Sequence, residues 1–297
     1  MYSERSVFDR LKTFATFSFI PLFTFATVLL IPFLLGFLLT FTDWNGVAAI
    51  SSLDYNWIGL KNYTAVFDDR DFWAALVLTF KYVILVVVFT NVVAFSIALL
   101  VTSKLKARNF FRSVFFVPNL IGGVILGFIW VFIFSRFMEY LGAITNIPLF
   151  QFSWLVDPDK AFIALVIVSV WQLSGYMMLI YIAGLVGVPN DVIEAASIDG
   201  ATQLQQLRHV VMPLMIPAFT ISLFLTLRNS FMVFDVNLAL TGGGPFRSTE
   251  LVTLHIYNEA FLYQHYGDGQ AKAVILFVIV ATIAVIQVLA TNRLERT

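Results

Sequence analysis

Between Lys12 and Asp43 no residue carries a charge, and the same holds between Arg112 and Arg136, Lys160 and Asp191, and Lys272 and Arg293. Crossing a bilayer as a helix takes about 20 mostly apolar residues, and each of these runs is long enough. Two further apolar stretches qualify, although Lys81 interrupts one and Arg228 the other. In hydrocarbon only a helix satisfies its own backbone groups within one segment. The chain therefore predicts six transmembrane helices, near 14–41, 74–102, 113–135, 161–187, 210–234 and 273–292. Composition closes off the soluble alternative: 60% of residues are hydrophobic and 12% charged, against about 25% charged in soluble domains. The expected fold class is all-α, a polytopic membrane protein forming a single domain over 1–297.

The first run is longer than the roughly 7–15 residues of a signal-peptide core and has no small-x-small cleavage pattern after it. It reads as an uncleaved anchor. Orientation follows the basic residues. With the N-terminus inside, Arg5, Arg10, Lys12, Lys104, Lys106, Arg108, Arg112, Arg208, Arg293 and Arg296 are cytoplasmic. Only Lys61, Arg70, Arg136, Lys160, Arg247 and Lys272 fall outside, in longer segments. Both termini are expected to be cytoplasmic.

Several chemistries find no support. The chain has no cysteine, hence no disulfide and no thiolate metal site. His209, His255 and His265 are scattered over loops and a helix end and read as interfacial residues, with no metal set. Zero net charge speaks against nucleic acid. GxxxxGK[ST], HExxH and GxSxG are all absent. The chain is expected to carry no cofactor and to be no enzyme itself; an ATP-driven process would need the nucleotide and Mg on another chain.

One stretch breaks the apolar pattern: "EAASIDGATQLQQLRHVVMP", 194–213, between the fourth and fifth spans. Pro189 ends the preceding helix. Asp191 as N-cap with Glu194 three residues on suggests a capping box. A short helix over about 192–199 would stop at Gly200, and a second would begin near Ala201. Ala195, Ala196, Ser197, Gly200 and Ala201 are poor membrane anchors but let another backbone approach closely. Glu194 and Asp199 would repel an anionic leaflet. The element reads as a protein-docking turn on the cytoplasmic side.

That stretch resembles the EAA signature of membrane subunits of binding-protein-dependent ABC importers. Glu194, Ala195, Ala196, Gly200 and Pro213 fill the pattern, with Val210 and Met212 as apolar replacements. The resemblance implies that the short helix is a cytoplasmic coupling helix docking on an ATPase subunit, through Asp191, Glu194, Ala195, Ala196, Asp199, Gly200 and Ala201. A second stretch, "FDVNLALTGGGPFRSTELVTLHIYNEAF" (234–261), is similar to the outer loop of carbohydrate permeases of the maltose, glycerol-phosphate and raffinose type. "WIGLKNYTAVF" (57–67) and "GQAKAVILF" (269–277) resemble other parts of the same proteins. Gly242, Gly243, Gly244 and Pro245 are then expected to contact an outer binding protein, or else to form a turn closing a helix. The family implies as partners a second permease subunit (a heterodimer), two ABC ATPase subunits and an extracytoplasmic sugar-binding protein, in a bacterial or archaeal cytoplasmic membrane.

A neutral sugar needs hydroxyls, amides and aromatic surface. Thr226, Asn229, Ser230 and Val233 share one face of the fifth span, and Ser169, Gln172, Leu173 and Tyr176 one face of the fourth, at helical spacing. These two faces are the expected substrate pathway; the bland alternative is hydrogen bonding between helices. Asn91, Asn119 and Trp171 are weaker candidates. Arg228 and Lys81 each read equally as interfacial anchors or as pathway lining. A glycerol phosphodiester or a polyol would be an alternative cargo. A self-sufficient secondary transporter would show repeated halves, broken helices or buried carboxylates inside the spans, and Asp235 occurs only at a span's outer end.

Overall fold

The computed structural model describes residues 7–46, 55–103 and 107–294. Of the residues used for orientation, Arg5, Lys104, Lys106 and Arg296 lie outside these ranges. Among the described residues there is no strand, only an isolated antiparallel bridge between Thr42 and Trp57. In chain order the helices are α1 (Val7–Phe25), α2 (Ile31–Leu39), α3 (Lys61–Asp68), α4 (Arg70–Thr102), α5 (Arg108–Leu120), α6 (Gly123–Phe132), α7 (Met138–Thr145) and α8 (Pro158–Gly187). They continue with α9 (Asn190–Ile198), α10 (Gln203–Gln206), α11 (Met212–Leu214), α12 (Ile216–Phe231), α13 (Asp235–Leu240), α14 (Val252–Tyr257) and α15 (Tyr266–Leu294).

Among the described residues five helical stretches are long and apolar enough to cross a membrane: Thr16–Leu39, Arg70–Thr102, Gly123–Thr145, Pro158–Gly187 and Tyr266–Thr291. A sixth exists if Gln203–Leu214 and Ile216–Phe231 are taken together as one span bent by 69°. The bend has an identifiable cause. A proline lacks the N–H for the helical bond and its ring clashes with the carbonyl four residues earlier, and Pro213 and Pro217 fall one turn apart. The chain breaks between them at Met215, with φ −92° and ψ 3°.

The third span differs from the sequence expectation of 113–135. Helix α5 is a separate element that stops after Pro118, where Ile121 turns extended at φ −81°, ψ 125°. The crossing stretch starts at Gly123 and continues through a π-helical turn at Ile133–Phe137 into α7. Arg136 marks a change of solvent, and a charge does not stop a helix; Asn146, in the left-handed region at φ 52°, ends it.

The described residues fall into two compact units, one within 1–69 and 256–275 and the other within 70–255 and 276–297. In the first, the end of α2 is tied down by the "GLKNY" segment. Asn62 Nδ2 donates to the carbonyls of Thr40 (2.8 Å) and Thr42 (2.9 Å), groups that helix termination leaves without partners. The Tyr63 and Thr40 hydroxyls are 2.9 Å apart, and Phe41 stacks on Trp57. Asp43 accepts from the Asn56 backbone (2.5 Å) and side chain (2.9 Å), which hold its carboxyl below the usual carboxylate range. Lys272, assigned to the outer loop from sequence, lies in the second turn of α15 with its side chain 1% exposed. Its Nζ is 2.7 Å from Asp69, 2.9 Å from Asp268 and 3.1 Å from Glu259. An unpaired buried ammonium would cost several kcal/mol, so three carboxylates surround it.

The second unit is built on α4 and α8. Asp157 caps α8 by accepting from the backbone N–H groups of Asp159 and Lys160, both at 3.1 Å. Half of the apolar stretch of α8 is buried, against 28% for α4, so α8 is the central helix of this unit. One core cluster includes Tyr82, Val86, Leu126, Phe134, Leu165, Val168 and Phe231, with Val280 and Ile283 of α15 packed against it. A second includes Ala94, Ala98, Met177, Met178, Tyr181 and Met215. Helices α5 and α8 cross closely at Gly175, where a Cβ would come 1.9 Å from the Phe115 carbonyl oxygen. Ile84, Val88 and Val92 of α4 form an exposed apolar stripe, a surface suited to lipid.

Candidate functional site

The turn expected to dock on a partner is formed by α9, Gly200 and α10. Its start differs from expectation: α9 begins at Asn190, Pro189 occupies the cap position, and no side chain caps it, so Asp191 sits inside the first turn. The capping box lies one element later. Thr202 Oγ1 accepts from Gln205 N at 3.4 Å, and Gln205 Oε1 accepts from Thr202 N at 2.8 Å. Between them Gly200 takes φ +80°. Its N–H donates to the Ser197 carbonyl at 3.1 Å and Ala201 N–H donates to Ala196 at 2.9 Å. This two-bond closure satisfies the last carbonyls of α9, and Gln206 Nε2 adds 2.9 Å bonds to Ser197 Oγ and Ala201 O.

Asp191, Glu194, Ala195, Asp199 and Gly200 are exposed; Ala196 and Ala201 are half-buried, face to face across the turn. Ile193 anchors α9 against the second core cluster. Sequence reasoning missed the apolar part of this surface: Ile198 is 86% exposed and Leu204 73% exposed, one on each side of Gly200. An apolar side chain in an otherwise polar turn, outside the helical spacing of the core face, was the available signal. A cavity of about 350 Å³ bounded by Asp199, Gly200, Ala201, Gln205, His209 and Val210 opens beside the turn.

The two polar faces assigned to substrate split. Ser169, Thr226 and Ser230 are buried within the chain. The Tyr82 hydroxyl donates to Ser169 Oγ at 2.6 Å, and Thr226 and Ser230 donate back to the carbonyls of Ser222 and Thr226, both at 2.7 Å. For these three the helix-to-helix and back-bonding roles hold in this structure. Gln172, Leu173, Asn229 and Val233 are half-buried and Tyr176 is exposed, beside exposed Trp171. Asn91 is the centre of a polar node joining α4, α8 and α12. Its Oδ1 accepts from Tyr181 and Ser222 hydroxyls at 2.6 Å each, and its Nδ2 donates to Val87 O at 2.7 Å. Arg228 is exposed in the last turn of α12, where a cation complements the helix dipole.

In the loop expected to lie outside, Gly242 and Gly243 adopt φ +57° and +86°. Gly243 is buried, Gly244 and Pro245 are half-buried, and Gly242 is exposed. Asn237, fully buried, organises the loop: its Nδ2 donates to Thr249 O at 2.7 Å and its Oδ1 accepts from Leu251 N at 3.3 Å. Thr249 Oγ1 donates to Gly244 O at 2.8 Å. The protruding residue is the next one along, Phe246, 93% exposed. His255, read from sequence as interfacial, is buried with Nδ1 3.4 Å from Glu250.

Among the described residues the chain is helical, with several apolar helices long enough to cross a membrane and an exposed polar turn at Gly200, features that fit a membrane-spanning protein. The family assignment agrees: residues 90–296 match the binding-protein-dependent transport system inner membrane component, and the chain belongs to that family. It is 50% identical, over 90% of both chains, to the probable starch degradation products transport system permease protein AmyD of Thermoanaerobacterium thermosulfurigenes. It is 30% identical to the multiple sugar-binding transport system permease protein MsmF of Streptococcus mutans, over 94% and 95% of the two chains. The fold matches a permease chain in the crystal structure of a bacterial alginate ABC transporter in complex with an alginate pentasaccharide-bound periplasmic protein, with TM-score 0.77, 18% identity and 99% of both chains covered. The chain is thus a membrane-embedded subunit of an ABC importer, and the self-sufficient secondary transporter falls away.

Proposed function

We propose that this chain carries oligosaccharides across the membrane as one of two non-identical permease subunits. Two ATPase subunits, holding ATP and Mg, would dock on the α9–α10 turns, and an extracytoplasmic binding protein would deliver sugar at the opposite end. The observation that carries the reading is 50% identity over nine-tenths of both chains with a permease named for starch degradation products. ATP-driven closure of the ATPase pair would push on Gly200 and its neighbours, and α8 and the bent α11–α12 would transmit the movement. Gln172, Tyr176 and Asn229 are the accessible groups suited to sugar hydroxyls and ring faces, with both termini on the cytoplasmic side. Arg228, exposed and without an intrachain side-chain partner among the described residues, favours an anionic cargo such as a glycerol phosphodiester as the second reading.

The test is ATPase activity of the reconstituted complex with its binding protein loaded from a panel: maltose, maltotriose, maltopentaose, trehalose, raffinose, sorbitol and glycerophosphocholine. Stimulation by a maltooligosaccharide is expected. Stimulation by glycerophosphocholine or sorbitol alone would replace the sugar reading, and no stimulation by any saccharide would end it.

A further inference from the structure

The outer loop and α4 enclose a second site that the pathway described above does not use. Asp71, Ala74, Leu78 and Lys81 lie along one face of α4, at spacings of three and four residues. Across from them stand Phe246, Arg247 and Glu250 of the loop, and the space between is a cavity of about 690 Å³ flanked by Trp73. Its two walls are fixed to each other. Thr79 Oγ1 accepts from Val252 N at 2.8 Å, and Arg247 pairs with Asp71 and, at 3.2 Å, with Glu250. Glu250 is itself buried and backed by His255 at 3.4 Å.

Helix α4 has 33 residues, about 50 Å at 1.5 Å per residue, whereas the hydrocarbon core is about 30 Å thick. The surplus lets its first turns stand clear of hydrocarbon. Irregular backbone like that of 241–251 is tolerated near a bilayer only where it is buried in protein or lines a wet cavity. Lys81 faces this cavity, exposed, with no hydrogen bond or ion pair among the described residues. The charges around the cavity sum to zero: Asp71 and Glu250 against Arg247 and Lys81.

We propose that this cavity is an entry subsite for an uncharged saccharide at the binding-protein end of the permease. One sugar ring would lie on Trp73, and its hydroxyls would bridge the Lys81 ammonium and the Asp71–Arg247–Glu250 network. A charge-balanced wall set with one aromatic ring suits a neutral polyol ring better than a phosphate, which would meet two carboxylates. The volume accommodates a di- or trisaccharide. This inference rests on the sugar-import reading above, and the test separates the two.

The native chain has no cysteine, so Lys81→Cys and Ala74→Cys each place one thiol in this subunit of the assembled importer. Ile84→Cys, on the exposed apolar stripe, is the control. In nanodiscs a charged, membrane-impermeant maleimide should label positions 81 and 74 and leave 84 unlabelled. Adding binding protein loaded with maltotriose should slow labelling at 81 and 74 at least tenfold, while sugar-free binding protein should not. No labelling at 81 and 74 would overturn the cavity. Equal protection by sugar-free binding protein would make it a protein contact and overturn the subsite. Absence of protection, in a complex whose wild type imports maltotriose, would overturn the subsite and leave sugar import standing. If the wild type imports no saccharide of the panel, the import reading fails and the subsite with it.

Discussion

Gly200 separates the cost of a backbone shape from the cost of a blocked docking surface. Its φ of +80° lies where an L-residue pays about 1–2 kcal/mol, and a Cβ built there meets no atom within 4 Å. Gly200→Ala therefore carries the backbone penalty alone, and Gly200→Trp carries the same backbone penalty with a larger side chain beyond the Cβ. Both should insert normally and lower the stability of the turn by that amount. At 1.4 kcal/mol per tenfold, docking of the ATPase to the alanine variant weakens about 5- to 30-fold, and excess ATPase restores transport. The tryptophan adds a large side chain between Ile198 and Leu204, in the space the partner must enter. Titrating purified ATPase onto each variant in nanodiscs, while following sugar uptake, tells them apart. The tryptophan variant should hydrolyse ATP without transport at any ATPase concentration. Normal uptake by it, or identical titrations for the two variants, would refute the docking argument.

Three further outcomes follow from the packing. Gly175→Ala drives a Cβ into the Phe115 carbonyl and should destabilise the purified complex by about 1–3 kcal/mol or more; Gly187→Ala, with open space around it, should not, and equal thermal midpoints would contradict the α5–α8 contact. Tyr181→Phe removes one bond to Asn91 and should cost about 0.6–1.7 kcal/mol. Asn91→Leu strands the Tyr181 and Ser222 hydroxyls and should cost more, and additive losses in a double-mutant cycle would deny the node. Burial works to raise the Glu259 carboxyl, but hydrogen bonds from His265 and Lys272 outweigh it and hold it below its ordinary value of 4.5. Its contribution to stability is then complete above pH 4.5 and is lost as pH falls through the depressed value. The stability gap between wild type and Glu259→Gln should accordingly be widest near neutrality and close in acid; a gap independent of pH would remove the ion-pair account.

The sequence alone determined the solvent, the helical class and the left-handed turn at Gly200, for one shared reason: each depends on local pattern. An uncharged run such as 161–190 has no alternative to a lipid-spanning helix, and Gly200 announces a left-handed stop because few other residues adopt that backbone. The family resemblance of 194–213 drew on the same local spacing. Properties that need a distant partner were not legible. Lys272 looked like an outer-loop charge because nothing near it in sequence reveals that Asp69 and Glu259 converge on it. Helical spacing puts Ser169 and Thr226 on polar faces without saying what covers them; Tyr82 and Asn91 on α4 bond to them, and buried Ser230 bonds back to the Thr226 carbonyl. The third span was misplaced because Arg136 shows where hydrocarbon could end, whereas the start of the helix was decided by Pro118 and its end by the turn at Asn146. Lys81, ambiguous in the chain, acquired a setting only when the loop folded back from 252 onto Thr79. Long-range closure of that kind selects among the many neighbours a side chain could have, and only tertiary packing makes the selection.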